Sequence, residues 1–288
     1  MSTNESYYIP SKATWPFLVV FGLAMFLAGF ANLINESVLG KPMMILGGVT
    51  FIIMVAGWFS LQAIESEGGV YNAQVGRSYR MGMMWFIFSE VMFFAAFFGT
   101  LFYARMYSVP WLGGEGSGPG TSTQLLWEGF SAVWPTSGPG ERYGFEESMG
   151  AWGLPALNTL ILLSSGATVT WAHWGLIANN RQQLIRGLIA TVTLGFLFVA
   201  LQATEYHEAY TEMGLTLGSG IYGTTFFMLT GFHGLHVTLG AIILSVVLFR
   251  SIRGHFSKEN HFVFEAAAWY WHFVDVVWLL LFVFVYWL

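Results

Sequence analysis

Between Arg80 and Arg105 the chain runs through 24 residues whose only carboxylate or basic side chain is Glu90. An apolar run of that length exceeds the ~20 residues a helix needs to cross the hydrocarbon core of a bilayer. At about 1.5 Å of rise per residue, Glu90 falls roughly 15 Å from Arg80, near the middle of a core about 30 Å thick. A carboxyl group cannot face lipid at that depth, so it faces other helices or a wet cavity. It is either a hydrogen-bonding strut between helices or part of a proton, ion or ligand path.

The rest of the chain has the same character. It is 288 residues long, 55% hydrophobic and only 9% charged, with a mean hydropathy of +0.59, where a soluble domain carries about a quarter charged residues. The class is an all-α integral membrane protein. The chain contains no cysteine, which excludes disulfides, thiolate metal sites and iron–sulfur clusters. No basic patch for nucleic acid is present. The N-terminal stretch MSTNESYYIPSKATWP lacks a basic region followed by a short apolar core and a cleavage site, so the first apolar segment reads as retained.

Seven apolar segments succeed one another, at about 14–34, 42–64, 80–106, 152–177, 184–208, 219–249 and 262–288. Runs such as Phe97 to Phe102 lack the alternation of barrel strands, so all seven read as helices. The chain is one membrane domain, 1–288, with helices 1–2 in 1–66 and helices 3–7 in 67–288. A Gly/Pro/Ser/Thr-rich segment at about 107–151 reads as a long irregular outer loop. With the N-terminus inside, eight basic residues (Lys12, Arg77, Arg80, Arg181, Arg186, Arg250, Arg253 and Lys258) fall on the inner side, and three (Lys41, Arg105 and Arg142) fall outside. That asymmetry predicts N-in, C-out. The outer side gathers Glu115, Glu128, Glu141, Glu146, Glu147, Glu208 and Glu212.

Other polar residues lie inside the spans. His272 and Asp275 are three apart and share a helix face; they are a structural carboxyl–imidazole pair or a protonatable pair in a relay. His233 and His236 have the same spacing, but no HExxH or carboxylate companion accompanies them. With Gly231 and Gly234 beside them, they read as helix packing rather than metal ligation. Gln202 to Glu208 reads as a polar cap at the outer end, with an inward-facing alternative left open for Glu205 alone. Ser164-Ser165-Gly166-Ala167 reads as small residues for close helix approach. Lysine occurs only at 12, 41 and 258, all outside the spans, so a retinal Schiff base is excluded. An inside N-terminus is opposite to that of the G-protein-coupled receptors.

Several stretches resemble subunit III of the aa3-type haem–copper cytochrome c oxidases. They are Phe88-Ser89-Glu90-Val91-Met92-Phe93-Phe94, Leu157-Asn158-Thr159, Thr170-Trp171-Ala172-His173, Gln202-Ala203-Thr204-Glu205-Tyr206, the run Tyr222 to Val237, and Phe264 to Trp278. The resemblance implies an accessory subunit of an aerobic respiratory oxidase with no catalytic residue, haem or copper of its own. Haem a and copper then reside in partner subunits, with subunit I in direct contact and subunit II in the same complex. It also implies helices 1–2 and 3–7 as two bundles with a lipid-filled cleft, and Glu90 as the buried acid that reacts with carbodiimides. Trp58, Glu65 (after a one-residue shift) and Arg250 match residues that contact phospholipids in the family. Where many relatives carry histidines, this chain has Val70-Tyr71-Asn72 and Trp174, which argues against proton collection by inner-surface histidines. The 107–151 loop is longer than in mitochondrial relatives and points to a bacterial cytoplasmic membrane. Two alternatives are a quinol oxidase subunit III, whose members usually lack the first two helices, and an independent proton or cation transporter, which the missing inverted repeat disfavours.

The charge asymmetry makes a direct prediction. A reporter fused after Arg181 should face the inner compartment and one fused after residue 140 the outer; the reverse pair of signals overturns the orientation.

Overall fold

A computed structural model describes residues 14–115, 127, 129–139 and 144–288. Lys12, Glu128, Glu141 and Arg142, which contribute to the charge asymmetry, lie outside the described residues. The described chain contains seven helices long and apolar enough to cross a membrane. They are α1 (Trp15–Ile34), α2 (Gly40–Glu67), α3 (Ala73–Tyr103), α4 (Leu154–Ile177), α5 (Arg181–Thr211), α6 (Gly220–Arg253) and α7 (Phe262–Leu281). No strand occurs among the described residues. The helices outrun the apolar segments because the backbone ladder continues past the hydrocarbon until a cap or turn stops it. Asn180 starts α5 by accepting from the Gln183 backbone N–H at 3.2 Å. Gly254 ends α6 in the left-handed conformation, φ 80°.

The chain separates into two compact units, Met1–Tyr79 and Arg80–Leu288. In the first, α1 and α2 form a hairpin whose glycines set the backbones in contact. A Cβ on Gly29 would land on the Met44 backbone, and one on Gly47 on the Phe26 backbone. Most other side chains of this hairpin are apolar and exposed, as lipid-facing residues are.

In the second unit α4, α5, α6 and α7 pack in sequence, and α4 also packs on α7. Trp271, fully buried, fills the centre. Its ring lies where a Cβ on Gly195 or Gly240 would go, 2.7 Å and 2.8 Å from the nearest ring atoms. The indole therefore slots between two helices that leave room for it only because both positions lack side chains. Helix α3 rides on this bundle through large rings: Phe86 on Tyr270, Phe93 on Phe232, Phe94 on Phe273 and Phe98 on Phe284, with centroids 5.0–6.2 Å apart.

The segment expected to be a surface loop from residue 107 starts later and is partly anchored. Helix α3 continues through a π-helical turn, Ala104–Ser108, and a last turn, Val109–Leu112. Farther on, the Tyr222 N–H donates to Thr136 O at 3.2 Å, and the Met149 N–H donates to the Tyr222 hydroxyl at 3.3 Å. Met149 and Ala151 are buried. The Gly/Pro composition carries no information about what this backbone packs against.

Overpacking the indole slot should cost about 1–3 kcal/mol. Gly195→Val is expected to lower the thermal midpoint of the purified protein, whereas Gly99→Ala, with nothing within 4 Å of the added carbon, should leave it unchanged or raise it. Equal midpoints for both variants would contradict this packing.

Candidate functional site: the intramembrane acid and its histidine

Glu90 leaves the middle of α3 toward α6, where its Oε2 lies 2.8 Å from His236 Nε2. The other ring nitrogen, Nδ1, is 2.6 Å from the Phe232 carbonyl. A carbonyl only accepts, so Nδ1 carries a hydrogen. Nε2 is then bare in the neutral ring and protonated in the imidazolium. A hydrogen bond to Glu90 therefore requires one proton on that line, either on the carboxyl or on Nε2. In both arrangements the pair as a whole is electrically neutral. Aromatic rings enclose it: Phe94 and Phe93 lie 5.1 and 6.0 Å from the His236 ring, and Tyr270 stacks at 6.4 Å.

The two histidines of α6 thus part company. Three residues turn a helix by about 300°, so i and i+3 sit close together on the surface yet meet different neighbours. His236 points to α3. His233 is fully buried between Phe198 and Trp278, and its Nε2 lies 3.2 Å from Val274 O on α7. The packing reading of Gly234 agrees with the structure, since a Cβ there would sit 2.8 Å from Gln202 Oε1. Among the described residues no group of three or more His, Cys, Asp or Glu is placed to hold a metal ion.

His272 and Asp275 do meet, with Nδ1 and Oδ2 3.5 Å apart. Thr170 on α4 donates to Gly166 O at 3.0 Å and lies 3.1 Å from His272 Nε2. Gly166 makes the approach of Asp275 possible, because a Cβ there would collide with Asp275 Oδ2. The small polar residues of α4 do more than let helices approach. Ser165 accepts from the Trp271 indole N–H and Thr159 from that of Trp278, both at 2.9 Å.

Glu205 departs most from the polar-cap reading. It is completely buried, and its Oε1 accepts from the Tyr286 hydroxyl at 2.6 Å. The available signal was its place in the series Phe198, Gln202, Glu205, Ala209, all of them buried at helical spacing. The Arg80–Glu265 bridge, 2.8 Å, had no signal in the sequence. It joins α3 to the start of α7 and, half exposed, contributes at most about 1 kcal/mol.

Trp58 and Glu65 lie seven residues apart on α2, hence on one face. The Tyr71 hydroxyl is 2.7 Å from Glu65 and 2.6 Å from Gln62 Oε1. Burial, reinforced by hydrogen bonding to Tyr79 and Glu65, holds the Tyr71 phenol well above its ordinary range, so it remains a donor. Arg250, in the second unit, lies over the Phe256 ring at 5.1 Å.

These features define a polytopic all-helical membrane protein whose intramembrane acids are tied to a histidine or a tyrosine rather than left to lipid. The chain belongs to the cytochrome c oxidase subunit III family, whose sequence pattern matches residues 5–288. It is 38% identical to cytochrome c oxidase subunit 3 of Dugong dugon over 287 residues, 99% of this chain and 97% of that protein. It is 39% identical to that of Carassius auratus over 286 residues, 98% and 97% of the two chains. The subunit of Formosania lacustris is 40% identical over 287 residues, again 98% and 97%. The family is an accessory, non-catalytic subunit of the haem–copper oxidase, an oxidoreductase complex.

The one-proton link separates two substitutions. Glu90→Gln presents an amide donor to a neutral His236 and should preserve subunit retention on heating. His236→Leu leaves the acid unpaired at a cost of about 1–3 kcal/mol and should release the subunit at lower temperature. Equal behaviour of the two variants would show that the link does not hold α3 to α6.

Proposed function

We propose that the chain works in aerobic respiration as subunit III of a cytochrome c oxidase, seated directly on catalytic subunit I with subunit II in the same complex. Haem a and copper belong to those partners. Its tasks are to stabilise subunit I, to sustain proton uptake through repeated turnover and to hold structural phospholipids. The observation that carries this reading is the family match across residues 5–288.

The geometry favours support over conduction. The intramembrane acids end in separate local pairs, Glu90–His236, Asp275–His272 and Glu205–Tyr286. A transporter acting alone would need such groups linked from face to face. Trp58 and Glu65 on the first unit and Arg250 on the second are proposed phospholipid contacts: an indole and a guanidinium suit the headgroup region, and the Tyr71 phenol steadies Glu65. The proposed setting is a bacterial cytoplasmic membrane, N-terminus inside, supported by the long 107–151 segment and by the Lys/Arg asymmetry.

Tagged chain drawn from native membranes in mild detergent should bring down subunits I and II with haem a and copper in the complex. Recovery of the chain alone in an active, ion-translocating form would overturn the assignment. Within the complex, Glu90→Gln should keep most of the initial turnover and of the protons pumped per electron. Lost pumping with normal assembly would make Glu90 a proton carrier in its own right.

A further inference from the structure

Among the buried side chains of the second unit with polar atoms that the pairs above leave unused are Asn158 and Glu205. Asn158 on α4 is completely buried, and neither its Oδ1 nor its Nδ2 has a hydrogen-bond partner. Glu205 on α5 is equally buried; Oε1 takes the Tyr286 hydroxyl, and Oε2 has no partner. Leaving such groups unsatisfied is costly anywhere, and lipid cannot relieve it.

The helix register brings the two residues within one helical turn of each other. Helices α4 and α5 run antiparallel, with Thr168 Oγ1 2.8 Å from Thr191 Oγ1. A Cβ on Gly187 would lie 2.7 Å from the Ala172 Cβ. Carried toward the end where α4 begins, that register sets Asn158 across from Leu201, one helical turn from Glu205. Helix α7 and its π-helical continuation, Phe282–Trp287, pass beside both residues. The Trp278 indole N–H donates to Thr159, next to Asn158, and the Trp278 ring lies 5.8 Å from the ring of Tyr286, the donor to Glu205.

We propose that Asn158 and the second oxygen of Glu205 line an internal site for ordered water between α4, α5 and α7. The donor set selects water. Oδ1 of Asn158 accepts and Nδ2 donates, while Oε2 of Glu205 accepts as a carboxylate and donates as a carboxylic acid. A water molecule gives two hydrogen bonds and receives one or two, which matches that set. A metal cation is opposed by the Nδ2 hydrogens, and an anion by the carboxyl oxygen. Buried waters of this kind usually make about three hydrogen bonds to groups that are otherwise unsatisfied. The site couples the start of α4 to the end of α5, which share no direct side-chain hydrogen bond at Asn158.

The test compares Asn158→Leu, Glu205→Met and the double variant in the intact oxidase complex, reading the temperature at which this subunit is lost. If water bridges the pair, Asn158→Leu lowers that midpoint by about 3 °C or more, although it removes two atoms with no protein partner. The double variant then falls by clearly less than the sum of the single changes. An unchanged or raised midpoint for Asn158→Leu, or strictly additive losses, overturns the proposal. Should the variants fail to assemble, a density map of the native complex at water-resolving quality decides the matter. A peak within hydrogen-bond reach of both side chains is expected; apolar packing without a peak, or a peak with the short multiple oxygen contacts of a cation, overturns the site.

Discussion

Hydrocarbon offers no hydrogen bonds, so a polar side chain in a span must be answered by its own helix backbone, as Thr100 and Ser164 are, by another helix, or by water held among helices. The Glu90–His236 bond is a direct consequence of that constraint. It joins α3 to α6 across 146 positions of sequence, in a stretch where α3 meets the bundle largely through bulky aromatic rings. Comparable joints tie α7 to α4 through His272, Asp275 and Thr170, and α5 to the end of α7 through Glu205 and Tyr286. Apolar packing cannot choose among these helices with the same discrimination, because lipid tails are as apolar as leucine. The polar pairs and the close contacts at glycine therefore specify which helix lies beside which.

Close contact and polar pairing cooperate at particular atoms. Gly166 is the space that Asp275 occupies, and Gly234 is the space that Gln202 occupies. Gln202 then reaches the Thr230 carbonyl at 2.9 Å, while Tyr206 bonds the Thr230 hydroxyl at 2.6 Å. A missing side chain on one helix is thus the condition for a hydrogen bond from another. Trp271 combines both effects, with its ring in the slot left by Gly195 and Gly240 and its N–H on Ser165.

Proton bookkeeping connects this architecture to the role of the subunit. The Phe232 carbonyl commits one nitrogen of His236 to donation, so the Glu90 pair holds a single proton and no net charge whichever partner carries it. A pair with no net charge, only partly exposed and flanked by aromatic rings, is compatible with a low-dielectric setting and ties α3 to α6. That suits an accessory, non-catalytic subunit of an oxidase complex.

Much of this architecture was legible in the sequence. Run lengths located seven spans, the absence of cysteine removed whole classes of metal chemistry, and one acid in an apolar segment required a partner. The i, i+3 spacing put His272 beside Asp275. Three matters were settled only by the tertiary structure. His236, rather than any other group, answers Glu90; Glu205 turns into the bundle instead of capping it; and Trp134, Thr136 and Met149 pack against Tyr222. The physical reason is common to all three. Helical periodicity reports which residues of one helix share a face, and hydropathy reports depth. Neither reports which faces meet, and a hydrogen bond between residues far apart in the chain exists only once the helices carrying them have been set side by side.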